Sequence, residues 1–266
     1  MRETGEDDDI DDDRPTSART KKPEAAKTDE TEDESRGLMG VIRELFRTWG
    51  PAILAVILIR TFIFEPYRIP SGSMVPTLLI GDHVLVSKYS YGIWLPFTET
   101  ELVDLGDPER GDILVFRFPR DPRLTYIKRV VAIRGDKLRV RNNRLYINNE
   151  PQPAVPDGTF EFIDDQCRHI PSQAYVETLS GLPHTMLTSG TGTGGRLSDY
   201  PEITVPEGKV FVMGDNRDHS EDSRAWGFVR EDQIKGKAHF VWFSWDSCTG
   251  KFGSIRGSRW FTGLYK

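Results

Sequence analysis

Residues 126–147 read YIKRVVAIRGDKLRVRNNRLYI, and this stretch indicates the fold class of the chain. Residues 126–133 are mostly apolar and rich in β-branched side chains, which is typical of a strand. Residues 138–141 and 144–147 are two further short strands on either side of Asn142-Asn143. Because asparagine tolerates positive φ, this pair predicts a tight hairpin turn.

Strand-like runs continue on both sides of this hairpin. No long segment after residue 65 shows a clean helical period. The body is therefore predicted to be mainly β, of the barrel or packed-sheet type, with a looser stretch from about residue 150 to 206 that is richer in Pro, Gly, Ser and Thr. The strand-like runs are residues 83–86, 112–116, 126–133, 209–212 and 238–243.

A helical segment with an apolar end precedes this body at residues 37–64. Apolar side chains first recur at helical spacing, and residues 49–59 then carry no charge. At a rise of 1.5 Å per residue, residues 49–64 span roughly 24 Å, slightly short of a bilayer core. We interpret the segment as a single membrane anchor, because Trp49 and several cations lie at its edge. A buried core helix is the alternative.

The charge of the chain is concentrated at its N-terminus. The 266 residues carry a formal net charge of −6, and residues 1–36 alone hold 14 acidic and 7 basic side chains. This tail has almost no large apolar residues, so we predict that it is disordered. The remaining body is nearly neutral, which argues against a nucleic-acid partner.

The histidines and cysteines do not suggest a metal site. The five histidines show no HxxxH or HxH spacing. The two cysteines, Cys167 and Cys248, lie 81 positions apart and are too few for a disulfide framework. They can pair with each other only if the fold brings them together.

Three stretches contain side chains that are candidates for chemistry. The first, residues 70–77, combines two prolines, a glycine and three hydroxyls, which predicts a rigid, sharply shaped loop or, more simply, a linker. In the second, Lys128 lies in an apolar strand, where desolvation would lower its pKa and make it a base, unless the strand is a half-exposed edge. The third, residues 214–224, is an ordered polar network or a solvated turn.

Together these stretches resemble the type I (leader) signal peptidases, a family of membrane-bound Ser-Lys proteases. The resemblance runs from the anchor to Ala238. Four segments in this order are highly specific: PSGSMVPTLLIGDHVLVSKYSYG at 70–92, RGDILVFRFP at 110–119, YIKRVVAIRGDKL at 126–138 and GDNRDHSEDSRAWGFV at 214–229.

The resemblance implies a role for particular residues. Ser73 corresponds to the nucleophile and Lys128 to the general base, while the Ser71 hydroxyl and the Ser73 N–H correspond to the oxyanion donors. Ser220 matches the serine that orients the lysine. The remaining positions correspond to a structural ion pair, Asp222 and Arg224, and to a substrate-binding surface, Ile69, Pro70, Met74, Leu78, Tyr126, Ile127 and Met213.

The resemblance also implies an organisation and a biological setting. A β core with an inserted second β region, at about residues 139–206, would follow the tail (1–36) and the anchor (37–64) within an extracytoplasmic domain (65–266). We expect a monomer without cofactor or metal in a bacterial inner membrane, with a cytoplasmic N-terminus. Its partners would be the lipid bilayer and the signal peptides of exported pre-proteins, cleaved after small residues in an Ala-x-Ala-like pattern.

Two other functions share some of these features. A soluble Ser-Lys autoprotease of the repressor type would use the same dyad, but the anchor before Ser73 speaks against it. A membrane-tethered binding module that holds exported chains without cutting them is the second. Mass measurement of a signal-bearing precursor after incubation with the protein would separate the two from a signal peptidase.

Overall fold

The computed structural model describes residues 29–94, 101–190, 195–246, 248 and 254–265. The chain divides into two compact units, residues 1–54 and 55–266. Two α-helices, α1 and α2, are Asp29–Phe62 and Ser223–Trp226. The strands β1 to β17 are Phe64–Arg68, Asp82–Ser87, Gly92–Trp94, Glu101–Asp104, Ile113–Phe118, Asp121–Ala132, Lys137–Arg141, Arg144–Ile147, Glu150–Pro151, Ala154–Ile163, His169–Leu179, Leu182–Thr188, Tyr200–Thr204, Lys209–Met213, Val229–Arg230, Ile234–Ser244 and Thr262–Gly263.

The helix α1 begins earlier than the sequence predicts. Its backbone is helical from Asp29, whereas we expected residues 29–36 to belong to the disordered tail, the rest of which lies outside the described residues. The helix ends at Phe62, and Phe64, which we placed in the anchor, already belongs to β1.

Within the described part of the chain, no helix combines the length and the apolarity that crossing a membrane requires. The predicted membrane span is not confirmed.

The second unit is built on one antiparallel sheet. Its strand order is β1-β2-β16-β5-β6-β14-β15, and β17 pairs with β16. β5 and β6 pair so that Leu114 lies opposite Lys128, and β14 pairs with β6 from Arg129 onward. The mainly β prediction is confirmed.

The segment between β6 and β14 forms two smaller sheets. β13, β7, β8 and β9 form a four-stranded sheet, and β10, β11 and β12 form a three-stranded sheet. The predicted hairpin is present: Arg141 pairs with Arg144, and Asn142 and Asn143 have φ of 49° and 60°. The stretch expected to be loose carries two long strands instead, β10 and β11. Alternate side chains of β11 are buried, among them Ser172 and Ala174, whereas β10 is mostly exposed.

A disulfide joins Cys167 to Cys248, with the two Cα atoms 5.3 Å apart. Cys167 lies in the turn between β10 and β11, and Cys248 lies shortly after β16. The sequence left this pairing open. The fold makes it by bringing the turn between β10 and β11 close to the segment that follows β16.

Candidate active site

The loop that carries Ser73 is held at both ends by backbone hydrogen bonds. Ile69 N–H donates to Asp82 O at 2.8 Å, and Gly81 N–H donates to Ile69 O at 2.9 Å. Gly81 has φ of +88°, and a Cβ built on it would lie 1.8 Å from Trp245 O. Only glycine fits there, and the closed loop presents the short 3₁₀ helix Gly72–Met74, with Ser73 at its centre.

Lys128 lies beside Ser73 at the centre of the site. Its Nζ donates to Ser73 Oγ at 2.6 Å and to Ile127 O at 3.0 Å. Lys128 is 4% exposed and Ser73 is 7% exposed. The two residues are 55 positions apart, and β6 brings the lysine to the loop.

Burial lowers the pKa of Lys128 to about 8, because the charged ammonium loses its hydration. The negative charges of Asp222 and Asp215 oppose this by raising the pKa, and Arg224 lowers it further. The Nζ also lies 5.6 Å from the centre of the Tyr126 ring. A substantial fraction of the amine is therefore neutral near pH 8 and can accept a proton.

Ser71 lies at the solvent side of the same loop. Its Oγ is 3.4 Å from Ser73 Oγ, and the residue is exposed. This position allows the hydroxyl to contact a group that approaches Ser73 from solvent.

Residues 214–224 form an ordered network behind the loop. Asn216 N–H donates to Ser73 O at 3.1 Å, and Asn216 Nδ2 donates to Gly72 O at 3.1 Å. Asp222 caps α2 and accepts from Gly214 N–H at 3.0 Å. The network holds the backbone of the serine loop from behind.

Asp222 and Arg224 form a fully buried ion pair. Arg224 Nε and Nη2 donate to the two carboxylate oxygens of Asp222, both at 2.8 Å. Burial alone would raise the pKa of Asp222, but the hydrogen bonds and charge of Arg224 hold it below its usual value. The carboxylate remains ionised and supports the turn that carries Ser220.

Ser220 is buried next to Gly214, where a Cβ on the glycine would lie 2.3 Å from Ser220 Oγ. The Ser220 hydroxyl lies beside the Asp222 carboxylate and helps to lower its pKa. The structure therefore places Ser220 close to the site without the lysine contact that the resemblance implies.

The residues that the resemblance assigns to substrate binding fall into two groups. Ile69, Met74, Leu78 and Met213 are at most 2% exposed and belong to the hydrophobic cores. In this conformation they support the site from below. The remaining three reach the surface: Pro70 is exposed, and Tyr126 and Ile127 are half-buried.

Sequence reasoning missed a second set of buried charges beside the site. Arg129 donates to both oxygens of Asp215 at 2.8 Å, and Thr77 Oγ1 donates to Asp215 Oδ2 at 2.5 Å. Burial would raise the pKa of Asp215, but the Arg129 guanidinium keeps it lowered. A signal was available, because strand alternation places Arg129 with the apolar Ile127 and Val131, where a cation needs a partner.

Sequence reasoning also missed a buried ion pair between Arg217, in the segment 214–224, and Glu177, in the three-stranded sheet. Arg217 Nη1 donates to Glu177 Oε1 at 3.1 Å, and His184 Nε2 lies 3.2 Å from Glu177 Oε2. Burial would raise the pKa of Glu177, but Arg217 and His184 lower it to about 2. Glu177 lies in β11, and the sequence around it does not predict which cation it pairs with.

The described residues contain no cluster of three or more side chains suited to hold a metal ion. What the arrangement offers instead is a serine hydroxyl in contact with a lysine of lowered pKa, on an all-β frame. This arrangement of groups is typical of a serine hydrolase that uses an amine as its general base.

Comparison with known proteins agrees with this class. The family model described as "Signal peptidase, peptidase S26" matches residues 42–245. "Signal peptidase I" of Pseudomonas aeruginosa is 40% identical over 214 residues, covering 76% of this chain and 72% of the relative. "Signal peptidase I" of Buchnera aphidicola subsp. Schizaphis graminum is 36% identical over 248 residues, covering 80% and 76%.

The chain therefore belongs to the signal peptidase family, peptidase S26. It is a serine hydrolase and protease, and its family cleaves signal peptides from preproteins.

Proposed function

We propose that this protein cleaves signal peptides with Ser73 as nucleophile and Lys128 as general base. The observation that carries the proposal is the 2.6 Å contact between Lys128 Nζ and Ser73 Oγ, made by a lysine whose pKa burial lowers to about 8. A serine hydroxyl is a weak nucleophile and needs an adjacent base. The neutral amine supplies that base without a histidine.

In the first step, Ser73 Oγ attacks the carbonyl carbon of the scissile peptide bond and its proton passes to Lys128 Nζ. The resulting ammonium then donates this proton to the nitrogen of the departing chain, and an acyl-enzyme ester remains on Ser73. The neutral amine next takes a proton from a water molecule, which attacks the ester. The bond between the acyl carbon and Ser73 Oγ then breaks, Lys128 returns its proton to Ser73 Oγ, and the acid product leaves.

The tetrahedral intermediate carries a negative oxygen that needs donors. We assign these to the Ser71 hydroxyl and the Ser73 N–H. The exposed position of Ser71, with its Oγ 3.4 Å from Ser73 Oγ, supports the assignment. Such a donor contributes roughly 3 kcal/mol to the stability of the transition state.

Ser220 and the Asp222–Arg224 pair would act on Lys128 and its loop. Ser220 Oγ is buried close to the site, beside the Asp222 carboxylate whose pKa it helps to lower, and it would turn toward the amine to orient it once substrate binds. The buried ion pair fixes the turn from which Ser220 projects.

The substrate would bind as an added strand. At residues 126–128, β6 pairs with β5, and the described residues place no strand on its other edge before Arg129. Tyr126 and Ile127 are half-buried at this edge, and Pro70 is exposed in the serine loop. Main-chain pairing accepts many sequences, while small pockets select the small residues of an Ala-x-Ala-like pattern.

We also propose that α1 attaches the chain to a bacterial inner membrane, with the N-terminus in the cytoplasm and the β unit outside. Leu45, Phe46 and Trp49 are more than half exposed, which suits contact with lipid. A disulfide in the β unit suits an oxidising compartment outside the cytoplasm. The enzyme would act as a monomer.

A pH profile of peptide cleavage by the full chain in detergent tests the dyad. We expect activity to rise with pH along a limb of apparent pKa about 8, because only the neutral amine accepts a proton. Ser73→Ala and Lys128→Ala should each abolish cleavage. Lys128→Arg should also fail, because a guanidinium does not deprotonate in this range.

The matched controls are the five single histidine variants at His83, His169, His184, His219 and His239, none of which should lose activity completely. Substantial cleavage by Lys128→Arg, or one indispensable histidine, contradicts the dyad. A wild-type protein that binds precursor but never cuts it would instead support the binding module.

A further inference from the structure

The three-stranded sheet β10-β11-β12 contacts the serine loop directly. Phe162, in β10, is 5% exposed and packs with Val75, Ala174 and Leu187 in a small apolar cluster. A Cβ built on Gly72 would lie 3.4 Å from Phe162 Cε2. The phenyl ring therefore covers the residue immediately before the proposed nucleophile.

A second, indirect contact reaches the same loop through the segment after β14. Leu187, in β12, donates its N–H to Asp215 O at 2.8 Å and forms a parallel bridge with Asn216. Asn216 in turn donates to the carbonyls of Gly72 and Ser73. The sheet therefore reaches the serine loop in two ways, directly through the Phe162 ring and indirectly through the segment that carries Asp215 and Asn216.

The disulfide ties this sheet to the frame that closes the loop. Cys167 lies five residues after Phe162, in the turn that follows β10. Its partner Cys248 lies three residues after Trp245, whose N–H donates to Gly81 O at 3.0 Å. Gly81 is also the residue that closes the serine loop on Ile69. Both ends of the cross-link are therefore attached to segments that touch the loop.

We propose that Phe162 is a positioning residue for Ser73 and that the Cys167–Cys248 disulfide holds it in place. The ring limits movement of the Gly72–Met74 turn and so keeps Ser73 Oγ within reach of Lys128 Nζ. The disulfide limits the outward movement of the β10–β11 turn, and with it the movement of the ring. This inference rests on the proposed dyad.

The test measures kcat, KM and the pH profile of the full chain in detergent, with a peptide that contains an Ala-x-Ala-like site. Phe162→Ala should lower kcat about tenfold with KM changed less than twofold, because misplacement of Ser73 affects the reacting geometry more than binding. A looser loop also admits water to Lys128, and hydration of the ammonium raises its pKa. The rise of activity with pH, which has an apparent pKa of about 8 in the wild type, should therefore move to higher pH. Phe162→Leu should restore most of kcat, and it serves as the test if Phe162→Ala does not fold.

Leu145→Ala is the matched control, because it opens a cavity in another apolar cluster, on β8. It should lower thermal stability and leave kcat and the limb within twofold of the wild type. A Phe162→Ala variant that behaves in the same way overturns the positioning role.

The disulfide is tested with the double variant Cys167→Ser/Cys248→Ser. It should lower kcat two- to fivefold, and dithiothreitol should bring the wild type to the same value without affecting the variant. Adding Phe162→Ala to the double variant should give no more loss than Phe162→Ala alone, because both changes act on one contact. Losses that multiply, or a double variant with full kcat, overturn the role of the disulfide.

Failure of this inference is distinguishable from failure of the dyad. If Ser73→Ala keeps its activity, the dyad is wrong. If Ser73→Ala is inactive while Phe162→Ala has the kcat and limb of the wild type, the dyad stands and only the positioning role falls.

Discussion

Lys128 is buried in a β-strand, although an ammonium group is strongly hydrated in water. Its neighbours are the Ser73 hydroxyl, the Ile127 carbonyl and the Tyr126 ring, and the nearest carboxylates are partnered by arginines. The pKa of about 8 reports the balance: burial favours the neutral amine, and the carboxylates only partly restore the charge. A residue with this environment is poised for proton transfer at the expense of stability.

Replacing Lys128 by methionine should therefore stabilise the fold near neutral pH. A pKa that falls from 10.5 unfolded to about 8 folded corresponds to about 3 kcal/mol of destabilisation below pH 8. The unfolded chain binds the extra proton between pH 8 and 10.5, so wild-type stability should rise through that interval. The advantage of Lys128→Met should shrink accordingly. Urea unfolding from pH 6 to 10.5 measures both stabilities.

Lys137→Met is the control, because Lys137 is exposed on β7. It should change stability by less than about 0.5 kcal/mol at every pH. A Lys128→Met protein that is less stable than the wild type at pH 7 would contradict the view that burial of the charge dominates.

At the scale of elements, the site depends on close backbone approach between the serine loop and the segment after β14. Gly214 stands at this junction, where a Cβ would lie 2.4 Å from Ser73 O and 2.3 Å from Ser220 Oγ. Both distances are far inside van der Waals contact, and one of the two atoms belongs to the backbone. The two segments can pack this closely only with glycine.

Gly214→Ala should therefore lower kcat roughly 100-fold, because a displacement of Ser73 of about 1 Å disrupts the reacting geometry. Overpacking should also lower stability by about 1–3 kcal/mol. Peptide cleavage and thermal unfolding measure the two effects. Gly257→Ala is the matched control, because a Cβ there meets no atom within 4 Å. Equal activity of the two alanine variants would show that the junction tolerates a side chain.

At the scale of the whole molecule, the β unit holds the hydrophobic clusters, the disulfide and the candidate site. The helix α1 carries the exposed apolar side chains, among them Leu45, Phe46 and Trp49. This distribution would separate the proposed chemistry from the proposed membrane attachment. We therefore predict that a change in the helix can remove membrane attachment without removing peptide cleavage.

Removal of residues 1–62 should leave a folded protein, because β1 to β17 all lie after the cut. Its circular dichroism should show β-structure, and it should cleave a soluble peptide at no less than about a tenth of the full-chain rate. Flotation with liposomes should be strong for the full chain and much weaker for the truncated one. An unfolded truncated protein would mean that the helix is a core element.

The sequence by itself determined the features that depend on neighbouring residues. The mainly β body follows from local strand patterns, and the turn at Asn142-Asn143 follows from the backbone freedom of asparagine. The motif order pointed to the family, and with it to Ser73 and Lys128. The disordered tail at residues 1–36 stays a prediction, although the backbone is helical from Asp29 onward.

Only the tertiary structure decided the features that depend on distant partners. The sequence does not state that Glu177 meets Arg217, that Arg129 meets Asp215, or that Cys167 reaches Cys248 across 81 positions. It also does not show that the phenyl ring of Phe162 covers Gly72. These contacts follow from how the sheets pack together, and packing depends on shape and burial over the whole unit, which no local pattern records.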